Sequence, residues 1–337
     1  MTSSLLPQYP LHCHLHLSNN RADDSEAQLN QRQEELSDLI LEVLRRHPYL
    51  CYFQGYHDIC QVLLLVLPPE LRAPAMARLS ALRIRDFMFP TLAPAVAQLR
   101  LIPDILRAAD PKLWRHVSAT EPWFALSGTL TMYAHDITTL GEITRLFDVL
   151  LAREPVFSLY MFVAIMRSRR DEVFAKAGPD EPDMIQHTLS KLPNPLDLEA
   201  IIAAACDIFD HHPPESLAAW RHISPASVLK TARDPDACAD QSLADGRALF
   251  DRHARDIAWA EQKDRALKLM RHYRRPAQTV GLAIAVGVAA VILRRYYYPP
   301  SHAGSGGGGG GGPGSHGVTA YVSQMMARGL QWWSSSR

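Results

Sequence analysis

The chain has 337 residues, 47% hydrophobic and 21% charged, enough apolar mass for one large core or two modest ones, which excludes wholesale disorder. Lys plus Arg and Asp plus Glu are both 35, so the formal charge is zero and there is no broad electrostatic footprint for nucleic acid. Five cysteines, an odd number without a CxxC pair, argue against a disulfide framework or a zinc site and fit reduced thiols.

Residues 1–33 are polar and irregular and are expected to form an arm without regular structure. Met1 to Pro10 lack a basic n-region followed by an apolar stretch, so no secretory signal peptide is expected. His12, Cys13, His14 and His16 are ligand types, but their alternating spacing closes no four-ligand geometry, and no metal site is expected. From Glu34 the pattern changes. Leu36, Leu39, Ile40, Val43 and Leu44 recur at three- and four-residue spacing, with Glu35, Asp38, Glu42 and Arg45 opposite, which predicts an amphipathic helix ending near His47-Pro48.

Further apolar blocks follow at Ile59 to Leu67, Ala75 to Phe87, Val96 to Leu106, Trp123 to Tyr133, Ile143 to Leu151, Phe157 to Met166, Met184 to Leu192 and Leu196 to Phe209. Prolines at 68, 69, 90, 103, 111, 122, 155, 193, 195, 213 and 214 separate them, as expected of residues that start or stop helices. No alternating Val/Ile/Thr run closes on an Asn-Gly or Asp-Gly turn, so the body, residues 34–215, is expected to be all-α. Residues 216–275 read as a linker and a charged helix that links or caps this domain.

Ala277 to Leu293 is a run of seventeen uncharged residues between arginines, near the lower length that spans about 30 Å of hydrocarbon at about 1.5 Å per residue. Tyr296, Tyr297 and Tyr298 follow, suited to the headgroup region, so residues 276–295 are expected to be a transmembrane helix rather than a buried core helix. The basic residues before the run place the helical domain on the cytosolic side. Residues 296–337 form a Gly-rich tail, with Val318 to Trp333 expected as an interfacial helix.

The densest local signal is Tyr49-Leu50-Cys51-Tyr52-Phe53-Gln54-Gly55-Tyr56-His57-Asp58-Ile59. The Gln54 amide carries one acceptor and two donors, able to hold a water and a phosphate or backbone group together. Gly55 admits close backbone approach, and Asp58 is placed to cap the helix that follows. Composition alone also admits a loop whose aromatics simply pack between helices. His57-Asp58 and His135-Asp136 lack the nucleophile a hydrolase relay needs, and read as hydrogen-bonded, structural histidines.

The segment Arg46-His47-Pro48 through Tyr52-Phe53-Gln54-Gly55-Tyr56-His57-Asp58 resembles the glutamine-finger motif of TBC domains, activators of Rab GTPases. Leu82-Arg83-Ile84-Arg85-Asp86-Phe87-Met88, Phe124-Ala125-Leu126-Ser127, Ala134-His135-Asp136-Ile137 and Arg145-Leu146-Phe147-Asp148 are similar to later blocks of that family, in order, with Phe147 in place of its usual Trp. The resemblance is closest to the subfamily with a C-terminal membrane segment. It implies a TBC-like multi-helix domain plus one C-terminal transmembrane helix, acting on a Rab of the endoplasmic reticulum or early Golgi.

By this resemblance Gln54 is the catalytic glutamine supplied in trans, with Tyr52, Gly55, His57, Asp58, Asp136, Arg145 and Asp148 supporting the motif or binding the Rab. GTP and magnesium belong to the Rab, so the chain needs no cofactor of its own, and it contains no GxxxxGK[ST]. The family's arginine is expected in an Ile-x-x-Asp-x-x-Arg segment before Glu34. Neither Arg21 nor Arg32 has an aspartate three residues earlier, so no arginine finger is assigned. Such a finger is worth roughly 10³ to 10⁵ in rate, and its absence implies impaired activation. The alternative is a non-catalytic, membrane-anchored Rab-binding adaptor. With Gln54 intact and the whole upstream block missing at once, an atypical or wrongly assigned N-terminus is expected rather than a degenerate member.

Overall fold

The computed structural model describes the backbone of residues 26–193 and 195–297, and their side chains except those of residues 26, 271–283 and 294–295. The described residues fall in two units, one to Ala266 and one from Leu267.

The first unit is all-helical among the described residues. It opens with α1 (Glu26–Arg46), α2 (Tyr56–Val66) and α3 (Pro69–Leu82), which pack on one another. A 3₁₀ turn at Arg85–Phe87 leads into α4 (Ala93–Leu99), α5 (Leu101–Ala109) and α6 (Pro111–Val117). A second 3₁₀ turn, Pro122–Ala125, feeds the short α7 (Leu126–Leu130). Then come α8 (Leu140–Ala152), α9 (Phe157–Ser168), α10 (Arg170–Lys176), α11 (Pro182–Leu189) and α12 (Leu198–His211). Two 3₁₀ turns precede α13 (Val228–Thr231), α14 (Pro235–Asp240) and α15 (Leu243–Tyr297), whose residues from Leu267 belong to the second unit.

At the centre stands α9, with Phe157 and every residue from Leu159 to Met166 buried, against α12 on one side and α5 on the other. A helix apolar on all faces has to be enclosed in this way. Prolines mark helix starts as expected: Pro69, Pro94, Pro111, Pro122, Pro182 and Pro235 sit in first turns, where a missing N–H costs nothing. Pro103, read as punctuation, is the third residue of α5, still within the turn whose N–H groups have no helical partner.

Two boundaries differ from expectation. The first helix begins at Glu26, so 26–33, read as part of an irregular arm, are helical. Their Gln-rich sequence has good helix propensity, and Gln31 donates to Glu35 one turn on at 3.0 Å; the apolar stripe begins only at Leu36. The expected domain end at residue 215, with a linker from 216, is also corrected. Leu217, Ile223, Val228, Leu229 and Phe250 are core residues, and the compact unit continues to Ala266. All of these but Phe250, which lies in α15, sit in or beside short 3₁₀ and one-turn elements, so no 3.6-residue period announces them.

A buried charge cluster ties this segment down. Asp86 accepts from Gln98 Nε2 at 2.9 Å, Ser227 Oγ at 2.5 Å and the Val228 amide at 3.1 Å, and His253 Nδ1 of α15 lies 3.4 Å away. Arg85 donates to the carbonyls of Ala81 and Ala226 and to Thr231 Oγ1. Burial pulls the Asp86 carboxyl upward, but hydrogen bonds from His253 and Ser227 and the charges of His253 and Arg85 outweigh it, leaving it below its ordinary value.

In the second unit the helix continues to Tyr297, and Ile284, Val286, Val288, Val291, Ile292 and Leu293 are all exposed. Among the described residues no helix is long and apolar enough to cross a membrane. The run Ala277 to Leu293 lies partly outside the residues whose side chains are described, and residues 1–25, Tyr298, the Gly-rich tail and the expected interfacial helix lie outside the described residues altogether.

Candidate functional site

The chain leaves α1 through a loop in which the Cys51 amide donates to the Met88 carbonyl at 2.9 Å, fixing the approach to the glutamine. Phe53 is buried, its ring 6.0 Å from Phe87 and 5.6 Å from Tyr56. Tyr56 is wholly buried and its hydroxyl shares a 2.8 Å hydrogen bond with Ser80. Between these two anchors the Tyr56 amide donates to the Phe53 carbonyl at 3.1 Å, closing a four-residue turn. Gly55, third in the turn, has φ 100° and ψ −8°, the left-handed geometry that position of a type II turn requires. Gln54 is thereby left at the tip with its side chain exposed.

This turn forms one wall of a cleft of about 510 Å³. Gln54, Gly55, His57 and Asp58 line it, with Leu92, Leu126, Ser127, Leu130, Thr131 and His135 opposite. The opposing wall comes from α7 and the loop after it, where Met132 (φ 51°) and Tyr133 (φ 65°) both take left-handed backbone conformations. Such geometry in non-glycine residues costs roughly 1–3 kcal/mol each and is retained only where the surroundings over-determine it. Here the Tyr133 amide donates to the Gly128 carbonyl at 2.7 Å and its hydroxyl to the Ser158 carbonyl at 2.7 Å.

The walls meet at Asp58. Its carboxylate is almost wholly buried, with Oδ2 3.1 Å from His135 Nδ1 and Oδ1 3.4 Å from His57 Nε2; His57 Nδ1 is in turn 2.8 Å from the Tyr52 hydroxyl. An ionised carboxylate only accepts, so His135 donates from Nδ1. The expectation that Asp58 caps the following helix is corrected. Gly55 is the N-cap residue, and the Asp58 side chain, in the first turn of α2, is committed to the histidines. Asp136 is half-buried; burial pushes its carboxyl up, His135 opposes that and Asp58 adds to it.

Of the sequence-predicted residues, Gln54, Gly55, His57 and Asp58 share the cleft, and Tyr52 backs it through His57. Arg145 and Asp148 are on α8 and do not line it. Arg145 instead makes a bidentate ion pair with Glu199 of α12 at 2.8 and 3.1 Å, which raises its pKa. His135 was read as structural, and its cleft position escaped the sequence because it depends on two left-handed residues that no local signal marks. Leu92 and Thr131 gave no signal either. Among the described residues the cleft lining holds no arginine or lysine, and no cluster of His, Cys, Asp or Glu suited to a metal occurs.

A family model of the Rab-GTPase-TBC domain matches residues 14–174. The TBC1 domain family member 20 of Bos taurus is 31% identical over 281 residues, which are 79% of this chain and 67% of the relative. The chain belongs to the Rab-GTPase-TBC domain family. Its similarity extends to the human TBC1 domain family member 20, at 31% over 281 residues, and to the GTPase-activating protein gyp10 of Schizosaccharomyces pombe, at 34% over 211 residues. The chain spans 57% of the fission-yeast relative's length and 67% of the mammalian ones'. The TBC match ends at residue 174, inside the first compact unit.

Proposed function

We propose that this chain is a GTPase-activating protein for a Rab GTPase of the endoplasmic reticulum or early Golgi, presenting Gln54 in trans to the Rab's bound GTP. The observation that carries this reading is the exposed Gln54 amide at the tip of an anchored turn on the cleft rim. A slow GTPase lacks an oriented attacking water, and a rigidly held amide in a preformed cleft supplies that orientation without reorganising during the reaction. GTP and magnesium are the partner's, and the residues around Gln54 serve to hold the amide in place.

The reading includes a membrane anchor at Ala277 to Leu293. It is supported by the described part of that run, in which large apolar side chains are exposed. A second reading, a non-catalytic Rab-binding adaptor, is favoured by the absence of arginine and lysine among the described residues of the cleft. Single-turnover GTP hydrolysis by candidate Rabs separates the two. Activation that falls with Gln54→Ala supports the activator; binding without acceleration supports the adaptor; acceleration unchanged in Gln54→Ala overturns the role assigned to Gln54.

A further inference from the structure

We infer that His135 is a positioning residue for Gln54, acting through Asp58 to hold the glutamine turn against the opposite wall of the cleft. The inference rests on the activator reading above and adds to it the residue that fixes the finger's geometry.

Three observations converge on it. Gln54 sits between the buried Phe53 and Gly55, and the carbonyl of Gly55 is held by the Asp58 amide at 3.1 Å. The Asp58 carboxylate, 1% exposed, receives His135 Nδ1 at 3.1 Å from across the cleft, while the His135 ring itself is 47% exposed. Finally, the segment that delivers His135 is strained. Met132 and Tyr133 are left-handed, the Ala134 amide returns to the Thr131 carbonyl at 3.0 Å, and the Thr131 methyl abuts Gly55 so closely that a Cβ there would lie 2.5 Å from it. Strain of this kind clusters at functional sites.

Thr131 and His135 therefore engage the turn from the same wall, Thr131 against Gly55 and His135 as a clasp at the Asp58 carboxylate. Loss of the clasp leaves a buried carboxylate without its cross-cleft donor and frees the turn to shift. A displacement of about 1 Å at a reacting group costs roughly 100-fold in rate.

The test is stimulated single-turnover GTP hydrolysis by the Rab, measured against increasing concentration of the full chain in detergent for wild type, Gln54→Ala, His135→Ala and His135→Asn. Asparagine places an N–H donor near the position of Nδ1. The expected result is a fall of about 100-fold in the saturating rate for His135→Ala with little change in half-saturating concentration, recovered to within several-fold by His135→Asn. Gln54→Ala that fails to slow the reaction defeats the role of Gln54 on which the inference rests, and a chain that binds the Rab without acceleration defeats the activator reading itself. If Gln54→Ala is slow but His135→Ala keeps the wild-type saturating rate, or loses only Rab affinity, the positioning role is overturned. Should His135→Ala unfold, His135→Asn decides: a folded asparagine variant as slow as Gln54→Ala also overturns it.

Discussion

Gly55→Ala tests the geometry of the glutamine turn directly. The substitution keeps the turn sequence otherwise intact but asks an L-residue to hold φ 100°, at a cost of roughly 1–2 kcal/mol for left-handed backbone. It also inserts a methyl group 2.5 Å from Thr131 Cγ2, which forces overpacking worth roughly 1–3 kcal/mol more. The expected loss is therefore about 2–5 kcal/mol, read by urea unfolding of the chain in detergent followed by tryptophan fluorescence. Thr131→Ser removes the obstructing methyl while keeping the hydroxyl that donates to the Ser127 carbonyl at 2.9 Å. In the double variant the steric part should vanish and only the backbone part, about 1–2 kcal/mol, remain. A Gly55→Ala chain within about 0.5 kcal/mol of wild type, or a double variant no better than Gly55→Ala, refutes the reasoning.

The buried cluster makes a second prediction. Asp86→Ala strands Arg85 and His253 without their carboxylate and should cost about 3–5 kcal/mol in the same unfolding experiment. Because the Asp86 carboxyl is held below its unfolded value, its contribution is present above that value and lost as pH falls through the folded one, so Asp86→Asn should flatten the acid limb of the pH–stability curve. Asp136 has the opposite sign: its folded carboxyl lies above the unfolded value of 3.8, so it lowers stability as pH rises past that point. Asp136→Asn should thus raise the melting temperature at pH 7, and the gain should disappear below pH 3.8; an equal gain at both pH values would contradict the desolvation account. Deleting Ala277 to Leu293 should move the chain from the membrane pellet to the supernatant after ultracentrifugation, and continued pelleting would exclude the anchor.

Much of the fold was legible because apolar spacing and proline placement act locally. Leu36, Leu39, Ile40 and Val43 are all buried on α1, as their spacing demanded. The apolar block Val96 to Leu106 spans the end of α4 and most of α5, which meet at Arg100, just before the Pro103 that punctuates it. In the site, Gln54 and Gly55 were legible through the resemblance of their segment to the glutamine-finger motif, since composition alone also admitted a loop of packed aromatics. His135 was not, since its role exists only once a strained loop brings it to Asp58 from 77 residues away. The same holds for Asp86, whose partners lie near positions 227 and 253 and follow no period that a local reading detects.

The knot of Arg85, Asp86, Ser227 and His253 also sets how this molecule can be divided. A fragment ending with the TBC match at residue 174, or with the helical blocks near 215, would keep the carboxylate with Arg85 and Gln98 but lose Ser227, the Val228 amide and His253. The residues matched by the TBC model thus leave out part of the hydrogen bonding around this buried carboxylate. The helix that leads toward the proposed anchor has a second task, since its first turns supply His253 to the buried cluster of the first unit.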